Sequence, residues 1–155
     1  ESVMGMTEEQ LATIREASDN SFPFIQRTGA KVLDLDVGYC KMMMPFEPNK
    51  NHVGIMYAGA LYTIAELPAG PIYMTTFDAQ NYYPIVRDMS IHFSRPALTD
   101  VTVEVTLDPA EAQRIQEVTD AEGKCNFEWD TEIVDANGQV VATTHNVYQL
   151  RKMGS

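Results

Sequence analysis

The chain opens with a helical pattern of apolar residues. Leu11 and Ile14 are spaced for one helix face, and Thr7 and Gln10, three residues apart, form a capping-box pattern at its start. This pattern predicts a short N-terminal helix over residues 8–19.

Residues 31–46 form the first extended region, after a segment punctuated by Pro23 and Gly29. Gly38 divides the region into two stretches, and the second stretch contains the apolar run at residues 42–44. We expect a β-hairpin here.

Residues 57–76 are mostly small or apolar, which is typical of a helix buried on nearly all sides. The one acidic residue inside this segment is Glu66. Pro68 and Pro71 each remove a backbone N–H and clash with the preceding helical turn. The segment therefore predicts a long central helix with a kink or a break near residue 68.

The apolar period becomes that of strands in the second half of the chain. Residues 89–94, 101–107 and 125–130 alternate apolar with polar side chains, as half-buried antiparallel strands do. A last strand over residues 139–150 follows a turn at Asn137-Gly138, a pair that favours positive φ.

A helical insertion is predicted between these strands. Asp108 precedes Pro109, and Glu111 lies in the first turn, so residues 109–119 have the start signals of a helix. The order is a helix, two strands, one long apolar helix, and four strands with the insertion. This order predicts an α+β fold in which an antiparallel sheet wraps around the long central helix.

Composition limits the size of the fold and its partners. A chain of 155 residues with 45% hydrophobic content suits one domain over residues 1–155 with one core. The 22 acidic and 11 basic residues give a net charge of -11, which repels a nucleic-acid backbone. No apolar run reaches the about 20 residues needed to span a bilayer, so we expect a cytoplasmic protein with no membrane partner.

The cysteines and histidines have no metal-ligand spacing. Cys40 and Cys125 are far apart and are expected to be two buried thiols. His92 and His145 lie on predicted strands and receive no role. We expect no bound metal and no cofactor.

The segment from Asn51 to Glu66 resembles a family signature. Its sequence is NHVGIMYAGALYTIAE, which matches in spacing the Asn-x-x-Gly-x-x-His-Gly-Gly-x-x-x-x-x-Ala-Asp signature of hotdog-fold thioesterases of the phenylacetate-pathway type. Tyr57 and Ala58 stand where that family has His-Gly, and Glu66 stands where it commonly has Asp. Residues 91–97 also resemble the strand after the family's helix, and the resemblance covers about residues 28–150.

The resemblance implies a hotdog fold and an acyl-thioester site. Thioester hydrolysis needs a donor for the carbonyl oxygen and a carboxylate that activates water. Gly59 N–H, at the start of the helix, is the expected oxyanion donor, and Glu66 is the expected general base. The resemblance further implies that Glu66 faces the donor of a neighbouring subunit, in a homodimer or a dimer of dimers.

Five further residues complete the predicted site. Asn51 either orients the water or substrate or organises the loop before the helix. His52 is either a second acid/base group or a surface histidine, and Tyr57, beside Ala58, either donates to the substrate carbonyl or packs through its ring. Arg95 either meets a coenzyme A phosphate at the end of its strand or is solvated.

The predicted function is hydrolysis of an acyl-CoA or acyl-carrier-protein thioester, with coenzyme A entering as part of the substrate. Two alternatives stay open. One is a non-catalytic acyl-thioester binding module, and the other is a hotdog-fold hydratase or dehydratase in which His52 serves as the histidine. There is no Gly-x-Ser-x-Gly or Gly-x-Gly-x-x-Gly motif to support serine-hydrolase or dinucleotide chemistry.

Overall fold

The computed structural model describes residues 5–154. Helix α1 spans Glu8–Asp19, as predicted. The backbone N–H of Gln10 donates to Thr7 Oγ1 at 3.1 Å, and the Thr7 N–H donates back to Gln10 Oε1 at 2.8 Å. The capping box therefore sets the start of α1 where the sequence predicts it.

A second short helix, α2 (Pro23–Thr28), was not predicted from the sequence. Pro23 occupies the first turn of the helix, and Gly29, at φ 76°, ends it in the left-handed conformation. A helix of six residues is too short to display an apolar period, so Pro23 and Gly29 resemble loop punctuation in the sequence.

Six strands form one antiparallel sheet with the order β1-β2-β4-β5-β6-β3. The strands are β1 (Lys31–Asp36), β2 (Tyr39–Met44), β3 (Tyr82–Phe93), β4 (Val101–Thr106), β5 (Lys124–Asp135) and β6 (Val140–Lys152). The predicted hairpin corresponds to β1 and β2, which join through the turn at Gly38 (φ 72°).

The predicted central helix is two helices, α3 (Ala58–Glu66) and α4 (Ala69–Thr76). The break falls at Pro68, where the sequence predicts a kink or a break. Helix α3 contacts β2, β4, β5 and β6, and Ile64 on this helix is fully buried. The sheet therefore wraps around α3, as the α+β prediction requires.

Helix α5 (Pro109–Glu122) is the predicted insertion between strands, three residues longer than expected. The Ala110 N–H donates to Asp108 Oδ1 at 2.8 Å, and Gly123 (φ 85°) ends the helix. Thr119 is fully buried in the last turn, which explains why the helix continues to the glycine.

Strand β3 lies at one edge of the sheet, and within residues 5–154 it pairs with β6 alone. It begins at Tyr82, earlier than the alternating pattern predicts, and it contains Pro84. Proline is tolerated there because an edge strand has one side without ladder hydrogen bonds. Val86 and Phe93 on this strand are 47% and 46% exposed.

The two cysteines are free and buried, as expected. No helix within residues 5–154 is long and apolar enough to cross a membrane.

Candidate functional site

Asn51 organises the loop that leads into α3. Its Oδ1 accepts hydrogen bonds from the N–H groups of Val53 at 3.0 Å and Ile55 at 3.3 Å. Gly54, at φ 85°, completes the turn by donating its N–H to the Asn51 carbonyl oxygen at 3.1 Å. Asn51 therefore organises the loop through its Oδ1 atom, and its Nδ2 group stays available to donate a hydrogen bond.

The start of α3 has two unpaired backbone donors. The Tyr57 N–H donates to the Asn49 carbonyl at 2.9 Å, while the N–H groups of Ala60 and Leu61 donate to the Tyr57 carbonyl. Within residues 5–154 the N–H groups of Ala58 and Gly59 make no hydrogen bond. These two donors lie at the positive end of the helix dipole, where an oxyanion is stabilised.

The ring of Tyr57 covers Gly59. A Cβ atom added to Gly59 would lie 2.4 Å from Tyr57 Cε2, so the missing side chain makes room for this ring. In this conformation the Tyr57 ring therefore fills the space beside Gly59. Tyr57 is 60% exposed, so its ring has room to move away from Gly59.

A groove of about 390 Å³ runs beside the start of α3. Of the predicted site residues, Asn51, Ala58 and Arg95 line it. Arg95 is held at the end of β3 by a hydrogen bond from its Nη1 to Gln139 Oε1 at 2.8 Å. His52 is exposed and is not among the groove residues, so the structure does not bring it to the open donors.

Glu66 is the last residue of α3, and burial raises the pKa of its carboxyl group above its usual value. No hydrogen bond to this carboxylate is made from within residues 5–154. It lies seven positions after Gly59, which places the two about 10 Å apart along the helix axis. One thioester carbonyl cannot contact both groups of the same α3 helix.

A buried polar cluster that was not predicted lies under the end of α3. Asn146 on β6 is fully buried, and its Nδ2 donates to the Ala65 carbonyl oxygen at 3.1 Å. Thr144 and Thr131, both buried, continue the cluster across β5 and β6. The sequence signal was the presence of polar residues at inward positions of strands whose other inward residues are apolar.

The described part of the chain contains no group of three or more His, Cys, Asp or Glu side chains that could hold a metal ion. A second cavity, of about 730 Å³, lies between the starts of α1 and α5 and the end of α4. It contains none of the predicted site residues.

Comparisons with known proteins identify the family. A family model described as a domain of unknown function (DUF4442) matches residues 12–149. A search of the curated proteins finds no match. Among solved structures, a Pseudomonas aeruginosa protein of unknown function, named a probable thioesterase, is 37% identical, with 97% of this chain and 99% of that chain covered and a TM-score of 0.89.

Two more distant structures share the fold. A Pseudomonas aeruginosa thioesterase, solved as a mutant, is 15% identical, with 97% of this chain and 99% of that chain covered and a TM-score of 0.73. The E. coli PaaI protein from the phenylacetic acid degradation operon is 16% identical, with coverages of 97% and 98% and a TM-score of 0.67. The chain belongs to the DUF4442 family, and its fold is that of the hotdog thioesterases.

Proposed function

We propose that this protein hydrolyses the thioester of an acyl group with coenzyme A or acyl carrier protein. The observation that carries the proposal is the pair of open N–H groups at Ala58 and Gly59, at the positive end of the α3 dipole. Ala58 also lines the adjoining groove, so a carbonyl group lying there meets these donors.

The chemistry divides between the two ends of α3. The Gly59 N–H donates to the thioester oxygen, and Glu66 takes a proton from a water molecule that attacks the carbonyl carbon. The tetrahedral intermediate then expels the thiolate as the C–S bond breaks, and the thiolate takes the proton back from Glu66. The products are a carboxylic acid and a free thiol. A carboxyl group with a raised pKa suits this exchange.

The separation along α3 calls for two subunits. Gly59 and Glu66 lie about 10 Å apart on one helix, and we propose that a second copy supplies the carboxylate that faces each pair of donors, as the family resemblance implies. The edge strand β3, with its exposed Val86 and Phe93, is the surface that such a homodimer would use. A dimer of dimers would repeat the same pairing. Light scattering that finds a strict monomer would contradict this shared site.

Arg95 is proposed to bind a phosphate of the substrate. It lines the groove next to the open donors and is exposed, so its guanidinium group is accessible to an anion. Its positive charge attracts the phosphate locally, whereas the net charge of -11 over the whole chain repels coenzyme A.

The decisive experiment is a thiol-release assay over acyl-CoA substrates of different chain lengths, with the Glu66→Gln variant beside the wild type. Removal of the general base should lower kcat by about 100-fold or more. Glu117→Gln, an exposed acid on α5, is the matched control and should keep wild-type turnover. The hydrolase proposal is wrong if no substrate is turned over, or if Glu66→Gln is as active as the wild type.

The oxyanion donor is tested by Ala58→Pro, which removes one of the two open N–H groups. Proline is tolerated at the first helical position, and Tyr57 already has φ -58° and ψ 137°, which suit a residue before proline. With Gly59 as the donor, kcat should stay within a few-fold of wild type. A fall of about 100-fold would assign the role to Ala58 instead.

A non-catalytic acyl-thioester binding module is the second candidate, and the Tyr57 ring over Gly59 favours it. In that case calorimetry would detect acyl-CoA binding while the wild type releases no thiol. The Tyr57→Ala variant separates the two functions, because uncovering Gly59 should increase turnover in a hydrolase and leave a pure binding module inactive.

A further inference from the structure

The polar cluster under α3 has a defined hydrogen-bond direction. The Ala65 carbonyl oxygen can accept only, so the Asn146 atom that faces it at 3.1 Å is the amide nitrogen. The Asn146 Oδ1 then accepts from Thr144 Oγ1 at 2.7 Å, and Thr131 donates its proton to Thr144. The hydroxyl protons of both threonines are therefore already donated in hydrogen bonds.

Asn146 donates to a backbone carbonyl beside the break in the central helix. Pro68 has no N–H to donate to the Ile64 carbonyl, and the Gly70 N–H donates to the Leu67 carbonyl at 3.2 Å instead of continuing the α-helical pattern. The Asn146 amide supplies a donor from the sheet to the Ala65 carbonyl, the residue immediately before Glu66. This bond ties the turn that carries Glu66 to strand β6.

The same amide nitrogen also donates to the Tyr148 hydroxyl oxygen, at 2.8 Å. Since both bonds start at one nitrogen, the Tyr148 hydroxyl oxygen lies within about 6 Å of the Ala65 carbonyl oxygen. Tyr148 is 1% exposed, and its ring stacks on Phe127 with centroids 5.6 Å apart. The ring is fixed, and its hydroxyl oxygen is engaged as an acceptor.

The Tyr148 hydroxyl proton remains to be donated, because within residues 5–154 no acceptor for it is found. Burial raises the pKa of Tyr148 well above its usual value, and the negative charge of Glu66 adds to the rise. The tyrosine is therefore protonated at every pH at which the protein would work, and its hydroxyl proton is available beside the turn that carries Glu66.

We propose that Asn146 and Tyr148 are positioning residues for Glu66. Asn146 holds the turn that carries Glu66 and orients the Tyr148 hydroxyl, and Tyr148 donates its proton to the Glu66 carboxylate through one water molecule. This inference rests on the proposed function, in which Glu66 is the general base. A donor to the charged carboxylate lowers its pKa and so offsets part of the effect of burial.

The test compares Tyr148→Phe and Asn146→Leu with a matched control, Gln149→Leu. Tyr148→Phe keeps the stacked ring and removes the hydroxyl group alone. It therefore still tests the inference if Asn146→Leu does not fold. Gln149 is a buried neighbour on β6 whose amide bonds to Asn126 Oδ1 at 2.8 Å, away from Glu66. A merely structural loss would appear equally in the control.

Two measurements are made on each variant. The first is the acid limb of the pH profile of kcat/KM for acyl-CoA hydrolysis, which reports the pKa of the base in the free enzyme. The second is a titration of the Glu66 carboxyl carbon by NMR, which needs no activity. Tyr148→Phe should move both the acid limb and the Glu66 titration to higher pH by about one unit. Asn146→Leu should move the two curves in the same direction, and Gln149→Leu should leave both unchanged.

The outcomes separate the two proposals. If both positioning variants titrate like the wild type and like Gln149→Leu, the positioning inference is overturned. If the Glu66 carboxyl titration shifts as expected while the wild type releases no thiol, the hydrolase proposal fails and the positioning inference stands.

Discussion

Two neighbouring residues of β6 show how different the environment of a polar side chain is on the two faces of the sheet. His145 points outward, where its side chain is 46% exposed and its Nδ1 and Nε2 lie 2.6 Å from Asp130 Oδ1 and 3.2 Å from Glu128 Oε1. Asn146 points inward, is fully buried, and makes three hydrogen bonds to neutral groups. One residue along a strand separates the two environments.

The contrast shows that charge alone does not decide which side chain matters. Water competes with the ion pairs of His145 and screens them, so exposed pairs of this kind contribute little to folding. Asn146 is fully buried, so water does not reach it to replace a lost partner, and each hydrogen bond that is removed leaves a buried polar group unsatisfied. The neutral asparagine should therefore matter more than the charged cluster beside it.

Asn146→Ala should give the largest loss of stability. It leaves the Ala65 carbonyl and the Thr144 hydroxyl without their partner, and each buried unsatisfied group costs about 1–3 kcal/mol. We expect the free energy of unfolding to fall by about 3 kcal/mol in urea denaturation. His145→Ala, measured in parallel, should change it far less, and equal losses in the two variants would refute the contrast between the faces.

Thr131→Val should have a smaller effect on the same inner cluster. It keeps the shape of the side chain and removes only the terminal donor of the chain, so a loss of about 1 kcal/mol is expected from urea denaturation. Thr143→Val is the control, because Thr143 is half-buried and has no side-chain partner within the described residues. If the two valine variants lose the same free energy of unfolding, the Thr131 hydroxyl contributes nothing to the cluster.

Glu66→Gln should increase stability at neutral pH, opposite to the change in activity. Because burial raises the folded-state pKa of Glu66, its contribution to stability is full below the unfolded pKa and is lost as the pH rises through the folded pKa. The side chain of the Glu66→Gln variant is neutral at every pH, so the variant does not lose this stability as the pH rises. Thermal melting should give a higher Tm than wild type at about pH 7.5, and the gap should close near pH 4. A lower Tm at neutral pH would mean that donors to the carboxylate, the Tyr148 hydroxyl among them, outweigh the cost of burying its charge.

His145→Ala should show the smallest effect, and only on the acid side. The hydrogen bond and the charge of Asp130, together with Glu128, raise the pKa of His145. Its stabilising contribution is therefore full below the unfolded pKa and disappears as the pH rises through the folded pKa. Wild type and variant should melt together at about pH 9 and separate slightly at about pH 5.5, less so in high salt.

The local start and stop signals made much of the fold predictable. The capping box at Thr7 predicted α1, and the proline at residue 68 predicted the break in the central segment. The start of β3 at Tyr82 could not be predicted from alternation, because Pro84 is acceptable only on an edge strand and the edge is a property of the assembled sheet.

The spacing between Asn51 and Glu66 predicted the helix that carries Glu66, whereas the catalytic roles of these residues stay predictions. The covering of Gly59 by Tyr57 was not predictable, because it depends on a rotamer of an exposed ring. The contact between Asn146 and Ala65 joins residues 81 positions apart, and no local pattern specifies such a pairing. The polar residues on inward strand positions were the clue, but their partners lie on another element.

The break at Pro68 divides the central segment into two parts with separate anchors. Helix α3 is tied to the sheet through Asn146, whereas α4 contacts α1 and β2 and lines the larger cavity. Substitutions at Met74 or Phe77 would therefore change the shape of the larger cavity without disturbing the turn that carries Glu66. For protein engineering, α4 is the place to introduce variation while α3 is left intact.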